Sequence, residues 1–282
     1  MIKNWIKTIV LLGALTALLL WAGNALGGRT GLTIALVIAF AMNFITYWFS
    51  DKIVLAIYRA RKTTKHDMPK LHKIVEEAAK AAKIPKPKVY IVPTQTPNAF
   101  ATGRNPKHAA IACTEGILNL LDEKELKGVI AHELAHVKNR DTLIMMIAVV
   151  IAGAISYLAM MARFAAIFGG GRDREGRGNI IGLLLFAILT PIIAMIIQLA
   201  ISRSREYLAD ETGARMIKDP KSLASALHKL EMGVKHNPLR GGNPTTASLF
   251  IVNPFSARGV VNLFSTHPPM QKRIERLNKM KV

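Results

Sequence analysis

Four runs of this sequence contain no Asp, Glu, Lys or Arg: residues 8–28, 30–50, 142–162 and 180–201. Each is 21 or 22 residues long, the length at which an α-helix crosses a hydrocarbon core of about 30 Å. Lipid offers no hydrogen bonds to a backbone, so such runs fold as helices. A single run could be the core helix of a globular protein. Four of matched length are expected to span a membrane. Lys3 and Lys7 ahead of the first run, with small residues near Ala25, also resemble a signal peptide. The second run begins directly after Arg29, however, and a tight hairpin accounts for both. Asn24, Asn43, Pro191 and Gln198 fall inside the runs and read as packing features.

The remaining residues lie mainly in two blocks, 51–141 and 202–282, which together are large enough for one soluble domain with a core. The net charge is +20, with 38 Lys and Arg against 18 Asp and Glu. Its distribution favours a membrane over nucleic acid as the reason. Lys52, Arg59, Arg61, Lys62, Lys65 and Lys70 follow the second run, whereas only Arg29 separates the first two. That asymmetry assigns residue 51 onward to the cytosol, and basic segments beside anionic lipid need no nucleic-acid partner. Two further runs separate the soluble blocks, so parity assigns both to the same side, with both termini. The one cysteine, Cys113, cannot form an intramolecular disulfide and reads as a small buried hydrophobe.

Between the runs, residues 68–83 carry Leu71, Ile74, Val75 and Ala78 at helical spacing, with Pro85 and Pro87 beyond the end. Residues 88–92, KVYIV, read as a strand, and 97–113 as short strand pieces among turn residues. Asp122 and Glu125 form a capping pair ahead of LKGVIAHELAHV. Helices are expected after the fourth run through SRSREYLADETGARMI, over 220–234, and after the prolines of THPP, with a loop-rich stretch over 236–262.

In AHELAH, His132 and His136 are four residues apart, so on a helix they share one face. Neutral imidazoles in that pair suit Zn²⁺, and Glu133 between them can take a proton from a metal-bound water. A surface helix bearing two histidines is the bland alternative. Catalytic zinc needs a third protein ligand. Glu206, in SRSREYLAD, can supply it, and Asp210 one turn later can orient a ligand histidine through its other ring nitrogen. By itself that segment could be a solvated face with local ion pairs. Beside the His-Glu-x-x-His helix, on the same side of the membrane, metal binding is the better reading.

PNAFATGRNPKHAAIA, HELAHVKNRD, SRSREYLAD and STHPPMQKRIERL, with four apolar runs between and around them, resemble the HtpX family of membrane-bound zinc endopeptidases. The resemblance covers almost the whole chain. It implies one Zn²⁺ per subunit held by His132, His136 and Glu206, with Glu133 as the catalytic residue. It also implies a stress-linked role in clearing damaged membrane proteins, at the cytosolic face of the cell membrane. Asn98 and Phe100 resemble the edge-strand segment that holds an extended substrate, although an ordinary turn with a core phenylalanine has the same pattern. His267, in STHPP, could assist the transition state or simply be positioned by its two prolines.

The expected fold is therefore mainly α and multi-pass: four transmembrane helices and a cytosolic α+β zincin-like catalytic domain with a small β-sheet. Residues 1–50 are a membrane hairpin, 51–141 the first catalytic segment with the metal-binding helix, 142–201 a second hairpin, and 202–282 the second catalytic segment. The expected partners are polypeptide or membrane-protein substrates and the bilayer, with no nucleic acid. Two rival functions share these features: a peptidase trimming lipid-modified protein tails, and a non-enzymatic membrane scaffold. The oligomeric state is not written in the sequence.

Overall fold

The structure is a computed structural model, and it describes residues 2–168, 203–238, 249–252 and 268–282. The fourth apolar run and His267 lie outside the described residues, as does most of the stretch over 236–262.

Helix α1 covers Ile2–Ile57. If straight, it would separate residues 27 positions apart by about 40 Å. Asn43 instead donates its side-chain amide to Thr16 Oγ1 across 27 residues, at 2.8 Å. The two apolar halves therefore fold back on each other. Gly28, with φ +54°, lies between them, and only glycine adopts that conformation without cost. Leu11 and Leu15 of the first half pack against Ile144, Ile147 and Ile151 of α5 (Asp141–Phe168). Among the described residues, Gly28–Ile57 is the one helix long and apolar enough to cross a membrane, and Ile9–Trp21 and Asp141–Gly153 are shorter apolar segments. Phe40, Phe44 and Val37 on that helix are exposed.

The rest is an α+β body. A short strand β1 (Arg61–Lys62) leads to α2 (Pro69–Ala82), whose Leu71, Ile74, Val75 and Ala78 are all buried, as their spacing requires. Strands β2 (Lys88–Val92), β3 (Ala99–Thr102) and β4 (Ala110–Thr114) complete a mixed sheet of order β1-β2-β4-β3. The pair β2–β4 is parallel, and β3 runs antiparallel to β4 with Phe100 opposite Ala112. β3 is thus an edge. The short α3 (Glu115–Leu120) links the sheet to α4 (Glu123–Asn139).

Helix α4 begins with a capping box: Asp122 accepts from the N–H of Lys124 and Glu125, and Glu125 accepts from the N–H of Asp122. It ends at Arg140, in the left-handed conformation. Helices α6 (Arg203–Ile217) and α7 (Pro220–His236) pack against it, and α8 (Met270–Asn278) packs on α7 and α6. One face of the sheet and the inner faces of α2, α4 and α7 enclose the main core, with Ile111, Cys113, Ile130 and Leu227 at its centre. The other face, through Val92, Phe100, Ala110 and Ala112, meets Val54 and Leu55 of α1 and Met146 of α5. The apolar helices and the sheet therefore share one continuous packing surface.

Candidate metal centre

Helix α4 is buried on nearly every side over residues 128–137. A helix in that position hides its histidines from water and fixes their rotamers. His132 and His136 are 2% and 4% exposed, and their rings meet edge to face at 4.8 Å between centroids. Helix α6 crosses α4 beside them. Glu206, Asp210 and Gly213 fall on one face of α6 at helical spacing, and all three are buried. A Cβ at Gly213 would lie 2.8 Å from His132 N and 3.0 Å from Ala131 C. The missing side chain is what lets α6 approach closely enough to deliver Glu206.

Glu206 reaches both rings by their Nε2 atoms, at 3.7 Å from His132 and 3.4 Å from His136. One ligand atom from each of the three residues lies within 4.8 Å of the other two. Each ring turns its other nitrogen towards a carboxylate. His132 Nδ1 is 2.9 Å from Asp210 Oδ1, and His136 Nδ1 is 3.3 Å from Asp141 Oδ2. Carboxylates placed behind ligand histidines in this way favour a proton on Nδ1 and Nε2 as the atom that faces the common centre; Arg273 Nη2 also stands 3.4 Å from His132 Nε2. Two neutral imidazoles and a carboxylate converging on one point are the donor set of a divalent metal site, and they fit such an ion.

Two further residues, each inside a quoted motif but not read as part of the site from sequence, build the shell behind these ligands. Arg273 of α8 has no exposed surface. It donates from Nε and Nη2 to the two oxygens of Asp210, at 2.8 and 2.7 Å, and Nη1 lies 3.5 Å from Glu206 Oε2. This arginine holds the Asp210 carboxyl down at about 2, against the burial that alone would raise it. Asp141 comes after the break at Arg140, whose positive φ turns the chain so that residue 141 points back at His136. Burial alone would lower His136, but hydrogen bonds to Asp141 and Glu206 push it up to about 10 in the metal-free protein.

Glu133 occupies a different environment. The N–H of Ala101, on edge strand β3, donates to Glu133 Oε2 at 2.9 Å. Burial raises its carboxyl above the ordinary range, opposed by the nearby histidines. Glu133 and the three convergent residues line a cavity of about 20 Å³, with Phe100, Met145 and Phe250 as apolar walls, enough room for one water-sized occupant. Asn98 does not reach the centre. Its amide is engaged by its own chain, donating to Leu249 O and accepting from Ile251 N–H, both at 3.1 Å. It thereby fixes the segment 249–251 that closes the cavity. Phe100 lines the cavity directly and stacks on Tyr58 at 5.5 Å.

The sequence of residues 65–281 matches Peptidase family M48. The chain belongs to this family. It is a metallopeptidase of the HtpX type, 56% identical over 97% of its length to a Protease HtpX homolog of Syntrophobacter fumaroxidans, of which 98% is covered. A Protease HtpX homolog of Pyrococcus abyssi is 58% identical, with 98% of this chain and 96% of the relative covered. The crystal structure of S. mikatae Ste24p shares the fold at 19% identity, with a TM-score of 0.52 over 99% of this chain and 67% of that one. M48 peptidases are metal-dependent, in agreement with the His-His-Glu cluster found in this member.

Sequence reasoning picked out His132, Glu133, His136, Glu206 and Asp210, and the fold brings all five together. It passed over Arg273, Asp141 and Gly213. Arg273 lies inside the STHPPMQKRIERL motif, where an arginine in an amphipathic helix reads as surface charge. Asp141 is five residues from His136, a spacing that no uninterrupted helix makes useful.

Proposed function

We propose that this M48 peptidase is a zinc-dependent, membrane-integrated endopeptidase that cleaves polypeptides, membrane proteins among them, at the cytosolic face of the cell membrane, in the service of protein quality control. The convergence of His132, His136 and Glu206 on one point, beside the Glu133 carboxylate that Ala101 N–H holds, carries the chemistry of this reading. Zinc held there would polarise a peptide carbonyl and acidify a water. Glu133 would take a proton from such a water, and burial, which raises its carboxyl above the ordinary range, would favour its carrying that proton to the departing amine. Asp210 and Asp141 keep His132 and His136 in the tautomer that presents Nε2. Arg273 fixes Asp210 by two hydrogen bonds.

The edge position of β3 among the described strands supports the substrate assignment, because an extended peptide can pair with the edge strand of a sheet. Access for a polypeptide requires Leu249–Ile251 to move off Asn98, since the closed cavity holds no more than a water-sized group. Asn98 then acts on substrate through that segment, while Phe100 meets it directly. His267 is proposed only as an accessory at the transition state, on the strength of its motif. The apolar hairpin of α1 and the shared packing of α1 and α5 on the sheet support membrane integration close to the site.

The test uses the intact purified protein with a full-length membrane protein as substrate. Cleavage should stop with a chelator, return with Zn²⁺, and be absent in Glu133→Gln. Preference for a prenylated peptide over the unlipidated membrane protein would replace this reading with tail trimming. Cleavage that survives full metal removal would refute it.

A further inference from the structure

A second cavity, about 490 Å³ in volume, lies away from the metal centre. Its upper wall is the last apolar stretch of α1, with Phe44, Trp48 and Phe49. Its floor is the sheet, through Tyr90 and Ala110. Lys52, Lys88, Arg104, Lys107 and His108 surround it, against the single acid Asp51.

Three observations bear on what it binds. First, the aromatic residues stand at the end of the helix Gly28–Ile57 and are exposed: Phe44 51%, Trp48 45% and Phe49 39%. Tryptophan at the end of a membrane span sits at headgroup depth. Second, the cations are held at that depth by the rings. Arg104 Cζ lies 4.3 Å from the Trp48 ring centroid, and Lys52 Nζ lies 5.1 Å from that of Phe49. Third, Lys52, Lys88, Arg104 and Lys107 have no carboxylate partner among the described residues, whereas Lys70, Lys80, Lys86, Lys127 and Lys229 of the same domain do. Four cations around one concavity, without a carboxylate partner among the described residues, favour an anion there, and the apolar wall beside them favours an anion that carries apolar chains.

We infer that this cavity binds the phosphate of an anionic phospholipid headgroup, with Arg104, Lys107, Lys52 and Lys88 around the phosphate and the acyl chains along Phe44 and Trp48. The inference rests on the membrane reading above but not on the assignment of catalytic roles. Such a lipid would bind the outer face of β2 and β4 to the bilayer. On the same face of the sheet, Ala112 of β4 lies opposite Phe100, which walls the metal centre. Bound lipid would thus fix the height of the catalytic cavity above the membrane.

The experiment measures lipid binding to the intact protein in neutral detergent. Short-chain phosphatidylglycerol, short-chain phosphatidylcholine and inorganic phosphate are titrated separately and followed by native mass spectrometry. Phosphatidylglycerol is expected to bind in preference to both others. Each cation near an anionic surface contributes about a fivefold factor, so Arg104→Gln with Lys107→Gln should weaken it by about 10–30-fold. A control variant, Lys70→Gln with Lys80→Gln, removes two exposed cations elsewhere and should bind as wild type. Metal content of each variant reports whether the domain remains folded. Should the first pair misfold, Lys52→Gln with Lys88→Gln tests the opposite wall of the cavity. Equal binding of phosphatidylcholine, equal binding of free phosphate, or equal loss in the control pair would each overturn the inference. None of these outcomes depends on proteolysis, so a failure here is distinct from a failure of the proposed reaction.

Discussion

Glu133 and Glu206 are buried carboxylates beside the same two histidines, and their partners give them different work. Glu206 faces both Nε2 atoms and Arg273, whereas Glu133 is tied to the N–H of Ala101. In the proposed reaction Glu206→Ala removes one of three protein contacts to the metal, so zinc content and activity should fall together. Glu133→Gln should keep near-wild-type zinc while cleavage drops by about 10²–10⁴-fold, the usual contribution of a positioned acid–base group. Asp210→Ala should weaken metal affinity or activity by about 10–100-fold. Zinc per protein and cleavage rate, measured on the same samples, separate the three. If Glu133→Gln loses zinc as Glu206→Ala does, the roles are wrongly divided. Arg273→Met makes a companion test. It leaves Asp210 and Glu206 buried beside each other without their cation, a change that typically costs about 3–5 kcal/mol. A thermal midpoint equal to wild type would show that this arginine is dispensable. The histidines and Glu133 were legible because their relation is local, within one turn of one helix. Arg273 was not, because it meets Asp210 across 63 residues and His132 across 141, and no spacing rule spans such a gap.

At the scale of elements, the site is the crossing of α4 and α6. Periodicity located α2 and a capping pair located the start of α4, since an amphipathic stripe or a capping box is written in neighbouring residues, and α6 and α7 fall where helices were expected after the fourth run and over 220–234. The two-residue strand β1 escaped notice. Arg61 and Lys62 are exposed and carry no strand signal, and only pairing with Ile91 and Tyr90 makes them a strand. Gly213 was equally silent, because a glycine within a helix states its purpose only once the neighbouring helix is known. Gly213→Ala adds a methyl group against the backbone of Ala131 and His132. Neither neighbour is a side chain that can rotate away, so α6 must shift outward. Overpacking of this kind costs about 1–3 kcal/mol. The same shift withdraws Glu206 from the histidines, so zinc affinity should fall more than it does for Ala209→Gly on the same helix. Denaturant unfolding and zinc titration of both variants check the two effects, and unchanged zinc affinity in Gly213→Ala would separate helix spacing from ligand delivery.

On the scale of the whole molecule, apolar helices and hydrolytic site form one packed object. Val54, Leu55 and Met146 lie against the sheet face that carries Phe100, and His136 is followed within five residues by Asp141, the first residue of α5. The apolar runs announced these helices from composition alone. The fold-back of α1 follows the expected hairpin, with Asn43 and Thr16 as its polar clasp. The orientation of that hairpin in a membrane is a separate matter, and charge decides it. Lys52, Arg59, Arg61, Lys62 and Lys65 follow the second apolar run, and Arg29 alone lies in the turn. Basic residues near a span resist translocation, so the turn at Gly28 is expected outside and the catalytic body in the cytosol. On the same expectation, two further apolar runs would return the chain to the cytosol, with the segment around residue 175 outside. Labelling tests this once the buried Cys113 is replaced by Ala to clear the background. Whole cells carrying Glu175→Cys should react with a membrane-impermeant maleimide, and those carrying Asn119→Cys should react only after lysis. Labelling of Asn119→Cys in intact cells would place the metal centre on the outer face and remove cytosolic segments of membrane proteins from its substrates.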